Sequence, residues 1–142
     1  MGLFGRIAAA VTPKKEDDRS ILIVEDNAEE CRALAAALEQ AGFPATCVAS
    51  VGEALAAIDG NGKLLAAIVD MMLPDASGGL VVWHLRRRFG KGVPIAVVTG
   101  MHDPRAEFNV SRDPPDRLFP KPLDVEQLLE WVATVRAEGV GK

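Results

Sequence analysis

The chain predicts an α/β fold: a five-stranded parallel sheet covered by helices on both faces. Three observations carry this. The wholly apolar runs Ile21-Leu22-Ile23-Val24, Leu64-Leu65-Ala66-Ala67-Ile68-Val69 and Val93-Pro94-Ile95-Ala96-Val97-Val98 have the length and continuity of strands buried on both faces. Segments of helix length with apolar residues at three- and four-residue spacing lie between such runs. The runs also end on polar groups: Glu25 and Asp26 after the first, Asp70 after the second, Thr99 after the third, while Lys121 follows Leu118-Phe119-Pro120. All of these fall at carboxyl ends of strands, the edge where open α/β sheets bind ligands. Three acids, a hydroxyl and an amine converging there suit a divalent cation and a phosphoryl group.

In chain order, residues 1–19 read as a tail or linker. Leu3, Phe4, Ile7 and Val11 recur at helical spacing before Thr12-Pro13-Lys14-Lys15-Glu16-Asp17-Asp18-Arg19 breaks the pattern. No basic residue precedes the short apolar part, so it is a poor signal peptide, and Arg6 stands where myristoylation wants Ser or Thr. The readings left open are a loosely packed tail and a docking segment. The folded unit is expected over residues 20–138, with 139–142 a C-terminal tail.

Helix starts are marked by Asn27 with Glu30, Ser50 with Glu53, and Asp124 with Gln127, the spacing at which a capping box satisfies two orphan amides reciprocally. The first helix carries Cys31, Leu34, Ala35 and Leu38 on one face and stops at Gly42, a natural C′ residue. The second buries Ala54, Leu55 and Ile58 and ends in Asp59-Gly60-Asn61-Gly62. The third, from about Gly79 to Phe89, has Leu80, Val81, His84 and Leu85 as its inner stripe, with Arg86-Arg87-Arg88 a solvated face near its C-terminus. The last runs from Val125 to about Ala137 through Leu128, Leu129, Val132 and Val135. Trp83 and Trp131 read as edge covers of these stripes, and His84 and His102 as packed or loop residues, not metal ligands.

With 142 residues, 49% of them apolar, the chain holds one core. A net charge of −4 gives no global attraction to nucleic acid or to an anionic membrane, and no stretch approaches the ~20 apolar residues of a bilayer span. Cys31 and Cys47 lack metal-ligand spacing and a secretory context, so they read as reduced near-core thiols of a cytoplasmic protein.

Right-handed crossovers between alternating strands and helices give, at their simplest, the flavodoxin-like order 2-1-3-4-5. That order puts the first and third strands side by side, so Glu25, Asp26 and Asp70 share one corner of the sheet. Pro120 fits an edge position for the fifth strand, since proline lacks the ladder donor.

Taken together, Ile21-Leu22-Ile23-Val24-Glu25-Asp26-Asn27, Ile68-Val69-Asp70-Met71-Met72-Leu73-Pro74 with Gly78, Val97-Val98-Thr99-Gly100, and Lys121-Pro122 resemble the receiver domains of bacterial two-component response regulators. The resemblance covers roughly Ser20 to Ala137, and its specificity lies in joint order and spacing. It implies that Asp70 is the phosphoacceptor and that Glu25 and Asp26 help bind Mg²⁺. It implies that Thr99 and Lys121 contact the phosphoryl group and that the Lys121-Pro122 peptide is cis. A hard ion with few carboxylates would be held by Asp26, Asp70, the Met72 backbone carbonyl and waters positioned by Glu25, with Mn²⁺ as a substitute. The donor would be a histidine kinase or histidine phosphotransfer protein, and the output a contact with a downstream protein, as a monomer or a phosphorylation-dependent homodimer. Such a protein is no enzyme beyond promoting its own aspartyl phosphorylation and dephosphorylation. With room for one helix after Lys121, a stand-alone regulator without direct nucleic-acid binding is expected.

Two departures from the family stand out. Leu118 occupies the place of a commonly aromatic residue whose rotation follows the threonine, and Phe119 points to the opposite face. Between Thr99 and Lys121, Ala106, Phe108 and Val110 are a thin apolar set broken by Asp113-Pro114-Pro115-Asp116, so a fourth helix there is expected to be short or irregular. These features sustain an alternative: a receiver-fold interaction module that acts independently of phosphorylation. A haloacid-dehalogenase-type hydrolase is disfavoured by Met72, which stands where a second acid is wanted.

Overall fold

The computed structural model describes residues 18–60, 63–100 and 114–140. Their order is β1 (Ser20–Val24), α1 (Ala28–Gln40), β2 (Ala45–Val48), α2 (Val51–Gly60), β3 (Leu64–Asp70), α3 (Gly79–Phe89), β4 (Ile95–Thr99), β5 (Arg117–Pro120) and α4 (Val125–Val140). All five strands are parallel in the order β2-β1-β3-β4-β5. The fold expected from sequence is therefore the fold observed. The apolar pattern of residues 1–17, His102 and the helix expected between β4 and β5 lie outside the described residues.

Strand alternation distributes the core to two faces. Leu22, Val24, Ala67 and Val69 pack with Ala54 and Ile58 of α2 and Val81 and Leu85 of α3. Ile21, Ile23, Ile68 and Phe119 pack with Leu38 of α1 and Leu128 and Val132 of α4. β3 is central and buried at every residue, which is why it reads as an unbroken apolar run. Phe119 meets the edge of Trp131 at 6.3 Å between ring centroids, while Leu118 leans to the other face. Pro120 does end an edge strand.

The helix ends follow local chemistry. Asn27 Oδ1 accepts from Glu30 N at 2.9 Å, Asp124 Oδ1 from Gln127 N at 3.2 Å, and Ser50 Oγ from Glu53 N at 3.1 Å. Only the Ser50 site closes reciprocally on its partner acid, through Ala49 N to Glu53 Oε1 at 2.9 Å, one residue before the expected amide. α1 ends as expected, with Gly42 at φ +94°, a conformation that favours glycine.

Two expectations are corrected. The inner face of α3 is Val81, Val82, Leu85 and Arg86, whereas Leu80 and Trp83 are about half exposed, at 49% and 52%. Arg86 is not solvated. Its Nη1 donates to Gly90 O and Val93 O, and its Nη2 donates to Pro114 O at 2.9 Å and Asp116 Oδ2 at 3.0 Å. Four oxygens converging on one guanidinium turn the helix away from the stripe that local periodicity favours. The second correction concerns the cysteines: Cys31 on α1 and Cys47 on β2 form a disulfide, with Cα atoms 6.1 Å apart. Residues 16 apart in sequence are brought within bonding reach because α1 crosses back over β2.

Candidate functional site

The sheet register assembles the site. Val24 pairs with Val69, so Glu25 stands level with Asp70. Asp70 pairs with Val98, so Thr99 lies one residue beyond, and Thr99 pairs with Pro120, which places Lys121 next. Each polar residue thus ends its strand at one common edge. Lys121 is pinned there by its amide, which donates to Thr99 O at 3.0 Å, and the Lys121-Pro122 peptide is cis as expected.

Asp70 is 3% exposed and its carboxylate is fully engaged: Oδ2 accepts from Lys121 Nζ at 2.9 Å and Oδ1 from Met72 N at 2.9 Å. Glu25, Asp26 and Asp70 bring one carboxylate oxygen each within 4.8 Å of one another. Thr99 is buried at the end of the neighbouring strand. Glu25 is held in place by an unexpected contact, since its Oε2 accepts the Asn27 amide at 3.0 Å, the donor that a capping box would have assigned to Glu30. The acid pair and the first turn of α1 are therefore one hydrogen-bonded unit.

Three carboxylates gathered this closely perturb one another's titration. Burial pushes Glu25 up to about 7, helped by the Asp70 charge and its hydrogen bond, while the Asn27 amide and Lys121 act the other way. For Lys121, desolvation is the largest influence and lowers its value, but the Asp70 hydrogen bond and the charges of Asp70, Glu25 and Glu30 together hold it above the ordinary lysine value. An all-oxygen donor set that cannot comfortably carry its full negative charge fits a hard divalent ion. The sign for stability follows. Between the ordinary glutamate value and about 7 the folded chain holds a proton on Glu25 that the unfolded chain lacks, so metal-free protein gains stability as pH falls through that window. Conversely, a cation competes with that proton. Its affinity is expected to rise several-fold from about pH 6 to about pH 8, and Glu25→Gln to flatten the rise, in calorimetric titrations with Mg²⁺. A pH-independent affinity in the native chain would contradict this.

The loop after β3 is positioned by Gly78, part of the motif quoted above, and by Asp75, which no local pattern singles out. Gly78 N donates to Met71 O at 2.9 Å, and Met72 and Ser77 form an antiparallel bridge, so the loop folds back on Asp70. A Cβ on Gly78 would stand 3.0 Å from Met71 Cα and closer still to the Asp70 carbonyl, which leaves room only for glycine. Asp75 ties the same loop to α2: Oδ1 accepts from Val51 N at 2.9 Å and Oδ2 from Gly52 N at 3.0 Å. These amide bonds hold its carboxyl below the usual aspartate value, so its stabilisation is present above about pH 4 and is lost as pH falls through the depressed value. Asp75→Ala is expected to lower the melting temperature at neutral pH, with the gap to wild type closing in acid. A gap that persisted below the depressed value would remove the carboxylate from the account. An Asp between Pro74 and Gly78 marks a turn, but nothing in the sequence says which helix it caps.

Beside the site a cavity of about 590 Å³ opens between α1 and the segment after Lys121, lined by Glu25, Glu30, Ala33, Leu34, Leu123 and Val125. Its floor includes Asp70.

Comparison with known proteins agrees with this geometry. The profile of the family described as the response regulator receiver domain matches residues 21–133. A response regulator receiver protein of Anaeromyxobacter sp. (strain Fw109-5) is 35% identical over 115 residues, covering 81% of this chain and 44% of that protein. The chain spans about half the length of the curated relatives it matches. Among solved structures, a sensor protein from Polaromonas sp. JS666 superposes with a TM-score of 0.75 at 28% identity, covering 86% of this chain and 98% of that one. A CheY-like receiver domain from Methylobacillus flagellatus gives 0.69 at 29% identity, covering 82% and 98%.

Proposed function

Because the chain belongs to the response regulator receiver domain family of two-component systems, we propose that it accepts a phosphoryl group on Asp70 and signals through a change in its protein contacts. Receiver domains are signalling proteins that interact with histidine kinases and downstream targets. The observation that carries the reading for this chain is the buried Asp70 carboxylate, bonded to Lys121 at 2.9 Å and set against two further acids.

Phosphoryl transfer asks for positioning and charge stabilisation more than for covalent chemistry. An oxygen of Asp70 attacks the phosphorus of a phosphohistidine on the donor protein; the O–P bond forms, the N–P bond breaks, and its electron pair returns to the donor imidazole. The Met72 amide fixes the carboxylate rotamer before attack. Lys121 moves from the carboxylate to the phosphoryl oxygens, where its ammonium is the counter-charge, and the Thr99 hydroxyl donates to one of them. Asp26, Asp70 and the Met72 carbonyl would hold Mg²⁺ or Mn²⁺, with Glu25 orienting waters. Such an ion, when bound, offsets negative charge on the acids and on the incoming group. The donor is a histidine kinase or phosphotransfer protein.

The test is intact mass after incubation with acetyl phosphate, with Mg²⁺ and with the metal chelated. One phosphoryl group gained only with metal is the expected result. No gain, together with no binding of beryllofluoride, would favour the phosphorylation-independent module. Leu118 is the observation on that side: half-buried against the core on the face of the sheet opposite Phe119, it gives the chain no aromatic rotor at this position.

A further inference from the structure

The two cysteines are the chemistry that the proposed phosphoryl site does not use. Cys31 is 2% exposed in the first turn of α1, and Cys47 lies exposed on β2, a strand paired on one side only. We propose that Cys31 and Cys47 form a thiol–disulfide exchange site for low-molecular-weight thiols, with Cys47 the attacked sulfur, whose state sets how firmly the acid-bearing end of α1 is held to the sheet.

Accessibility fixes the order of events. A thiolate reaches Cys47 Sγ from solvent, the Sγ–Sγ bond breaks, and the electron pair leaves on Cys31 Sγ, which takes up a proton. A second thiolate then attacks the external sulfur of the mixed disulfide. It releases Cys47 as a thiol and the reductant as its own disulfide. The reverse direction uses a low-molecular-weight disulfide as oxidant and returns two equivalents of thiol.

The link to the candidate site is short. Cys31 N donates to Asn27 O at 2.9 Å, the Asn27 amide donates to Glu25 Oε2, and Asn27 Oδ1 caps Glu30 N. Glu30, Ala33 and Leu34 of the same helix form one wall of the cavity beside Asp70. The oxidised state ties this turn covalently to β2, and the reduced state leaves it to packing and to these hydrogen bonds. The effect on the metal-binding acids rests on the phosphoryl-site reading; the exchange chemistry does not.

The experiment equilibrates the full chain in buffers of reduced and oxidised glutathione, traps free thiols by alkylation, and reads intact mass and melting temperature. Two alkylated thiols are expected in the reduced state and none in the oxidised one, with a melting temperature higher by roughly 10 °C when oxidised, the scale for closing a short loop in a domain of this size. In single variants, Cys31→Ser is expected to form a glutathione mixed disulfide on Cys47 at least about tenfold faster than Cys47→Ser does on Cys31. Acetyl-phosphate labelling and Mg²⁺ affinity, compared between the two states, are expected to differ. Two alkylatable thiols after full oxidation, equal melting temperatures, or faster modification of Cys31 would each overturn the exchange site. Unchanged labelling and Mg²⁺ affinity across a clean redox transition would overturn the coupling alone. Absence of any labelling would fall on the phosphoryl-site reading, not on the disulfide.

Discussion

Asp70→Asn is expected to abolish phosphoryl uptake from acetyl phosphate, a loss of roughly 1,000-fold or more, while leaving the chain folded. The substitution is nearly isosteric, and an amide oxygen still accepts from Met72 N. What it removes is the nucleophilic oxygen and the ion pair with Lys121. Glu25 supplies an internal control. Its raised value owes most to burial and only in part to Asp70, so in the variant it should fall without reaching the ordinary glutamate value. Intact mass checks the first expectation, and NMR titration of the Glu25 side chain the second. Labelling of the variant at the wild-type rate would move the acceptor to another carboxylate, with Asp26 the next to test.

The largest expected stability effect lies away from the site, at Asp116. Its carboxylate accepts from Arg86 Nη2 at 3.0 Å and from Ile95 N at 2.7 Å, and so joins the end of α3 to the starts of β4 and β5. Arg86 is buried, with a side chain 3% exposed, whereas Asp116 is 39% exposed. Asp116→Ala would leave a buried guanidinium with carbonyl partners but no counter-charge, and a strand amide without its acceptor. A loss of about 3 kcal/mol is expected, kept at the lower end for a buried pair because solvent already screens one partner. Arg86→Met should cost less, since Asp116 keeps Ile95 N and can hydrate, and Met leaves no buried charge behind. Urea denaturation of both single variants and the double variant measures the asymmetry. Equal losses for the two, or a change within about 0.5 kcal/mol for Asp116→Ala, would show that the pair does not hold this end of the sheet.

That pair also shows where reading the sequence stops. Arg86-Arg87-Arg88 near a helix end reads as a solvated, dipole-compatible face, and for Arg87 and Arg88 it is one, with Arg87 stacked 5.0 Å over Trp83. Arg86 differs only because Gly90, Val93, Pro114 and Asp116 meet at that point. Two of those partners lie 28 and 30 residues further along the chain, beyond any local pattern. The disulfide, the Asp75 cap on α2 and the phase of α3 share that property. Each depends on which elements become neighbours and at what height.

By itself the sequence determined the parallel sheet, its order, the ends of its strands, and therefore the gathering of Glu25, Asp26, Asp70, Thr99 and Lys121 at one edge. It could do so because strand burial, helix capping and crossover handedness are set by residues near in sequence and by a connection rule with almost no exceptions. Tertiary structure alone decided that Glu25 rather than Glu30 takes the Asn27 amide, that Cys31 meets Cys47, and that one of three adjacent arginines is buried. The last two turn on ångström-scale distances between segments well separated in the chain, and the first on which of two nearby carboxylates the end of β1 brings to the amide; a one-dimensional pattern carries no record of such distances.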